Sequence, residues 1–260
     1  MIDVKNELNT VIEAVKLAND LIKKYYVNGF NVEIKGDNSP VTDADKASDK
    51  LLIEYLSKQF PKYAFLTEET PDDKERLNND FVWIIDPLDG TKDFVAHDDE
   101  FTVNVALAYK HKVILGVVGV PATGEIYYAS EGNGAFVVRN NKTTQIHVND
   151  KAEDLTCLLS VFHTSKDEKE CIERHKDRIH HTFRKGSTLK ACYIAEGVAE
   201  LSYRFGEGTK EWDTAAFQII VEEAGGYVLK FDGTPMTYNR EDVYNHESYI
   251  IVNKKENMLL

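Results

Sequence analysis

Six short runs of β-forming residues crowd the span 63–138, and their spacing restricts the chain to a sheet-centred fold. The runs are Tyr63 to Leu66, Phe81 to Ile85, Phe101 to Tyr109, Val113 to Val120, Glu125 to Ala129 and Ala135 to Val138. Lys110-His111 and Glu131 to Gly134 have the lengths of hairpin turns, which predicts a largely antiparallel sheet. Ahead of the sheet, Val4, Leu8, Val11, Ile12, Val15, Ala18, Leu21, Ile22 and Tyr25 recur at three- and four-residue intervals, the stripe of a long helix ending near Asn28-Gly29. A second helix is expected over 43–59, with Thr42 as N-cap, a buried face of Ala47, Leu51, Tyr55 and Leu56, and Pro61 beyond its end. Helices first and meander strands second predict an α+β fold, or mixed αβ layers.

The polar stretch 139–153, RNNKTTQIHVNDKAE, marks the expected boundary between an N-terminal half, 1–150, and a C-terminal half, 151–260. Beyond it strands and helices alternate. Leu155 to Phe162 reads as a strand, Ser187 to Glu196 as a helix closed by Gly197 at C′, and Trp212 to Ala224 as a helix ended by Gly225-Gly226.

Composition then excludes several classes of function. The net charge of −13 and the lack of a basic stripe argue against a nucleic-acid partner, because polyphosphate would be repelled. Cys157, Cys171 and Cys192 form no Cys-x-x-Cys pair, so neither a disulfide framework nor a thiolate zinc site is expected. Charges at residues 3, 5 and 7 leave no apolar signal region, and the longest apolar stretch, Val113 to Ala122, is broken by Gly116, Gly119 and Pro121. No membrane span is expected, and a cytoplasmic location is.

The chemistry concentrates in WIIDPLDGTKDF, residues 83–94. A buried strand delivers Asp86, and Pro87 is expected to stop it, since proline fixes φ and lacks an N–H. If Asp86 to Asp89 form a Pro-initiated turn, both carboxylates face one point and call for a cation or a shared proton. Gly90-Thr91 then lets backbone approach a phosphate closely. The same residues also make an ordinary surface turn. Glu68-Glu69 reads equally as solvated loop charge, Asp213 as a carboxylate favoured at a helix start, and Asp45 as a capping-box acid three residues after Thr42. Asp43, Asp45, Asp49 and Glu54 fall on calcium-loop positions, but Ser48 stands where that loop needs glycine, and the helix stripe runs through the segment.

Taken together, Glu68-Glu69, Asp86 to Thr91 and Trp212 to Ala215 resemble the Glu-Glu, Asp-Pro-[Ile/Leu]-Asp-Gly-Thr and Trp-Asp-x-Ala motifs of the lithium-sensitive, magnesium-dependent inositol monophosphatase superfamily, in the same order. The similarity runs from Lys35 and SPVTDAD to GGYVLKFDGTPM. It implies a layered αβαβα sugar-phosphatase-like fold. Within the superfamily, DNSPVT, DPLDGTKDF with EFTVNVAL, GSTLKACYIAEGVAELSYRFG and WDTAA are most similar to bacterial 3′(2′),5′-bisphosphate nucleotidases, and Lys92 follows Asp-Gly-Thr as it does in that group. Departures are Glu207-Gly208 in place of a proline, Phe217 in place of a small residue and Asp93 in place of glutamate.

The resemblance implies hydrolysis of the 3′-phosphate of adenosine 3′,5′-bisphosphate with two or three Mg2+ ions, and inhibition by Li+. Glu68, Asp86 and the Leu88 carbonyl would hold one ion, and Asp86, Asp89 and Asp213 a second. A third ion could sit near Glu68, and Glu69 would lie behind the ligands. Asp45 and Thr91 would orient the attacking water, while Gly90 and Thr91 bind phosphate oxygens. Ser187, Lys190 and Arg204 would grip the nucleotide and its 5′-phosphate, with His163 near the base. Ser187 also reads as a plain N-cap, Lys190 as an exposed cation, and His163 as a hydrogen-bonded loop residue. Two alternatives stand beside the nucleotidase: a phosphatase of inositol 1-phosphate or fructose 1,6-bisphosphate, and a cation-binding regulatory module without turnover. The complete acid set argues against the module. Metal ions also resolve the conflict between an acidic chain and an anionic substrate, since two or three Mg2+ would offset the five carboxylates Asp45, Glu68, Asp86, Asp89 and Asp213.

Overall fold

The structure is a computed structural model that describes residues 2–260. Helix α1 (Lys5–Asn28) leads into a short hairpin of β1 (Val32–Ile34) and β2 (Pro40–Thr42), then α2 (Asp43–Gln59). Strands β3 (Ala64–Thr67) and β4 (Phe81–Asp89) precede the short helix α3 (Thr91–Ala96), and the meander continues through β5 (Thr102–Tyr109), β6 (Lys112–Val120), β7 (Glu125–Ser130), β8 (Ala135–Arg139) and β9 (Lys142–Ile146). The C-terminal half comprises β10 (Leu155–Leu159), α4 (Lys166–Arg174), β11 (Ile179–Arg184), α5 (Leu189–Ala195), β12 (Leu201–Arg204), β13 (Thr209–Lys210), α6 (Glu211–Glu223), β14 (Tyr227–Lys230), β15 (Tyr244–Asn245) and β16 (Tyr249–Val252).

Strands β3 to β9 form one sheet in chain order, antiparallel except for the parallel β3–β4 pair. The second sheet has the order β11-β10-β12-β16-β14. The period-2 alternation of β4 divides the core. Trp83 and Ile85 pack with Val11, Val15, Leu52 and Leu56 of α1 and α2, whereas Val82 and Ile84 pack with Ala216 and Ile220 of α6 on the opposite face. The inner face of the second sheet, through Leu158, Val228 and Ile251, covers the other side of α5 and α6. Cys171 of α4 packs with Leu155, Cys157 and Leu201 on that sheet's outer face. The layers therefore run αβαβα, as the resemblance implied. All three cysteines are buried free thiols.

Glycines in the broken apolar stretch explain why β6 can be covered on both faces. A Cβ on Gly116 would lie 2.3 Å from the Ala216 carbonyl oxygen of α6, and one on Gly119 would lie 2.5 Å from Val15 Cγ1 of α1. Helices approach this strand closer than any side chain allows.

Several expectations shift. The buried face of α2 is Ala44, Ser48, Leu52 and Leu56 with Asp45 and Asp49, so Leu52 replaces Leu51 and the stripe is rotated toward the polar side. Pro87 does not end β4, because its missing N–H falls in a bulge where register jumps from Asp86–Asn104 to Asp89–Thr102. The polar boundary segment contains β9, an exposed edge strand paired with β8 and buried only at Ile146. Strand β10 stops at Leu159 and leaves Phe162 exposed. Helix α5 begins at Leu189, so Ser187 lies outside it with a left-handed φ of 42° and is not its N-cap. Gly197 does occupy the C′ position, with φ 74°.

Candidate active site

The bulge in β4 shapes the site. Two residues of β4, Pro87 and Leu88, stand opposite one of β5, which projects Asp86 and Asp89 to the same side while the Leu88 N–H donates to Asp86 Oδ1 at 3.1 Å. Ser48 of α2 pins the bulge by donating to the Pro87 carbonyl at 2.8 Å. Asp213 arrives from the first turn of α6, where its Oδ2 accepts the Lys210 N–H at 2.6 Å. Asp86, Asp89 and Asp213 each present a carboxylate oxygen within 4.8 Å of the others.

Asp45 sits in the first turn of α2, where it completes a capping box with Thr42. Its Oδ2 accepts the Thr42 N–H at 2.8 Å, and its Oδ1 accepts the Thr91 hydroxyl at 3.0 Å. The structural and the chemical readings of Asp45 thus describe the same side chain. Glu68 and Glu69 follow β3, and the Lys35 ammonium of the β1–β2 hairpin connection bridges them, at 2.9 and 2.6 Å. Glu68 is therefore close enough to act on Asp86 electrostatically, but its carboxylate is engaged by Lys35.

Electrostatics show what the cluster lacks. Burial, followed by the charges of Glu68, Asp89 and Asp213, pushes the Asp86 carboxyl well above its usual range. The same forces, burial first and then Asp89 and Glu68, push Asp213 up to about 8. Burial also raises Asp45, against the hydrogen bonds from Thr42 and Thr91. Like charges gathered at a buried point are stable only with a compensating positive charge or a bound proton. The donors are all oxygens, with no His or Cys, a set that suits a hard divalent cation better than zinc.

Asp86, Asp89 and Asp213 open into a cavity of about 480 Å³. Gly90, Thr91, His163, Ser187, Lys190 and Arg204 line it, so every proposed substrate residue reaches the same space as the acids. Gly90 takes a left-handed φ of 89° where β4 turns into α3. Lys190 donates to the Ser187 carbonyl at 2.7 Å, and burial lowers its pKa although Asp89 and Asp93 act to raise it. Arg204 Nε is buried without a hydrogen-bond partner among the described residues. Exposed His163 faces the charges of Lys92, Arg204 and Lys190.

Residue-by-residue reading of the sequence missed the partners that hold these groups. Thr188 donates to Asp89 Oδ2 through both its N–H, at 2.7 Å, and its hydroxyl, at 2.9 Å. Glu100 accepts the Gly186 N–H and, at 2.7 Å, the Lys185 ammonium, fastening the Gly186-Ser187-Thr188 turn to the N-terminal half. Asp93 lies buried against this turn, and burial with the charge of Asp98 raises it to about 7. The signal available was the Ser-Thr pair before an apolar helix, which local reading assigns to capping.

Known proteins share this fold and much of this sequence. The model of the inositol monophosphatase family matches residues 3–259. The 3′(2′),5′-bisphosphate nucleotidase CysQ of Escherichia coli K12 is 38% identical over 92% of this chain and 96% of its own length. Among solved structures, CysQ of Bacteroides thetaiotaomicron, a bacterial member of the same family, superposes with a TM-score of 0.84 at 29% identity, covering 96% of this chain and 98% of that one. The Thermotoga maritima IMPase gives a TM-score of 0.81 at 30% identity, covering 95% of this chain and 92% of its own.

Proposed function

The chain belongs to the inositol monophosphatase family, and from that premise we propose that it is a Mg2+-dependent 3′(2′),5′-bisphosphate nucleotidase that converts adenosine 3′,5′-bisphosphate to AMP and phosphate. One observation carries the reading. A single cavity holds the three-carboxylate cluster together with Lys190 and Arg204, neither of which pairs with an acid among the described residues. A substrate with two phosphates on one ribose suits both ends.

Two or three Mg2+ would be held by Glu68, Asp86, the Leu88 carbonyl, Asp89 and Asp213, and when bound they supply charge neutralisation at the phosphoryl oxygens. The chain's own groups handle the proton and the substrate. Thr91, hydrogen-bonded to Asp45, orients a water for attack and passes its proton toward Asp45, whose raised pKa makes it the stronger base. Gly90 and Thr91 present backbone N–H groups to phosphate, and the positive φ at Gly90 supports that close approach. Lys190 and Arg204 bind the 5′-phosphate, Ser187 the nucleotide, and His163 borders the base. Glu69 holds Lys35 in place behind Glu68. In this division of labour residues 1–150 supply most cation ligands, and 151–260 supply Asp213 and substrate choice.

The test is phosphate release with Mg2+ from adenosine 3′,5′-bisphosphate, inositol 1-phosphate and fructose 1,6-bisphosphate. The nucleotide is expected to lead. A preference of tenfold or more for inositol phosphate would instead support the inositol or sugar phosphatase reading. Millimolar Li+ is expected to inhibit.

A further inference from the structure

We propose that Thr188 is a positioning residue for the cation site, aiming the Asp89 carboxylate from the far half of the chain; this rests on reading Asp89 as a cation ligand. Both donors of Thr188 converge on Asp89 Oδ2. That oxygen is saturated, so the carboxylate cannot rotate without losing these bonds, and its other oxygen is left for the cluster with Asp86 and Asp213.

The direction of the Thr188 proton is also fixed. Asn104 Nδ2 donates to Thr188 Oγ1 at 2.9 Å, so the hydroxyl must spend its own proton on Asp89. Asn104 is in turn held in that orientation, because its Oδ1 accepts the Thr102 hydroxyl at 3.1 Å. Asn104 and Thr188 are both buried, so water cannot replace a lost donor cheaply. Thr188 also adjoins Ser187, whose carbonyl accepts Lys190 Nζ, so one turn carries both the Asp89 support and the substrate-facing residues.

The experiment measures Mg2+ binding to the whole protein by calorimetry, and phosphate release against Mg2+ concentration, for wild type, T188V, T188S, N104A and the double variant N104A/T188V. T188V keeps the shape and removes the hydroxyl. It is expected to weaken Mg2+ binding about tenfold, the usual scale for removing a group that orients a metal ligand. The half-saturating Mg2+ should rise in parallel, while KM for adenosine 3′,5′-bisphosphate at saturating Mg2+ stays within about twofold. T188S should restore binding to within about threefold of wild type, and N104A should weaken it alone but add nothing to T188V. Wild-type Mg2+ affinity in T188V, or in N104A should T188V fail to fold, overturns the proposal while leaving the enzyme reading intact. A T188S protein as weak as T188V overturns it too. A wild-type protein that binds no Mg2+ overturns the reading of the site itself.

Discussion

At Asp213 one carboxylate serves two structures, accepting the Lys210 N–H at the start of α6 and facing Asp86 and Asp89. Its cost to the metal-free fold sets a pH dependence. Its pKa rises from the ordinary 3.8 to about 8, so its stabilising contribution is complete below 3.8 and is lost as pH climbs through 8. Asp86 shifts in the same direction. Asp72, lowered to about 2 chiefly by the Arg76 hydrogen bond against the effect of burial, loses its contribution only below this window. The metal-free protein should therefore show a higher Tm near pH ~5.5 than near pH ~8.5, and saturating Mg2+ should flatten that trend. A Tm that rises with pH in the metal-free protein would refute the account. D89N should cut phosphate release at least about a hundredfold, the scale for losing a charged group at a transition state, while far-UV circular dichroism is unchanged.

Helix α6 is placed by what β6 lacks. Because a Cβ on Gly116 would meet backbone of α6, G116A should destabilise by about 1–3 kcal/mol in denaturant titration, and activity should fall as α6 carries Asp213 out of position. On the opposite face, a Cβ on Gly119 would meet the buried side chains of Asn19 and Val15 of α1, so G119A should also lose stability but keep its activity in the folded protein, because α1 carries none of the site residues. A folded G119A protein as inactive as G116A would contradict this close-approach argument. At α2, T42A should lower stability by about 1 kcal/mol through the lost cap, and also slow catalysis, because the Thr42 hydroxyl donates to Oδ2 of the Asp45 that Thr91 contacts. The periodicity of α1 and α2 gave their bounds directly. It misjudged the buried face of α2, because that face carries Asp45, Ser48 and Asp49; Ser48 and Asp49 find their partners only in the tertiary structure, at the Pro87 carbonyl and Thr70.

At the scale of the molecule the two halves share one core, since Leu66, Val82 and Ile84 pack in the same cluster as Leu158, Val228 and Ile251, with α6 between them. Unfolding followed by tryptophan fluorescence and by far-UV circular dichroism should give coincident single transitions. Two separated transitions would show that the halves are independent. The active site inherits this arrangement, because Asp86 and Asp89 lie on the first sheet and Asp213 on the shared helical layer.

The sequence by itself determined the two opening helices and the antiparallel meander, because each is written in local periodicity or turn length, and it singled out the acids only through motifs shared with a family. Only the tertiary structure decided that Thr188 braces Asp89 across 99 residues of chain, that Lys35 engages Glu68, and that Pro87 sits in a bulge. Those outcomes depend on which buried donors and acceptors packing brings together. A hydroxyl that caps a helix and one that aims a carboxylate have the same local sequence, and the partner delivered by the fold separates them.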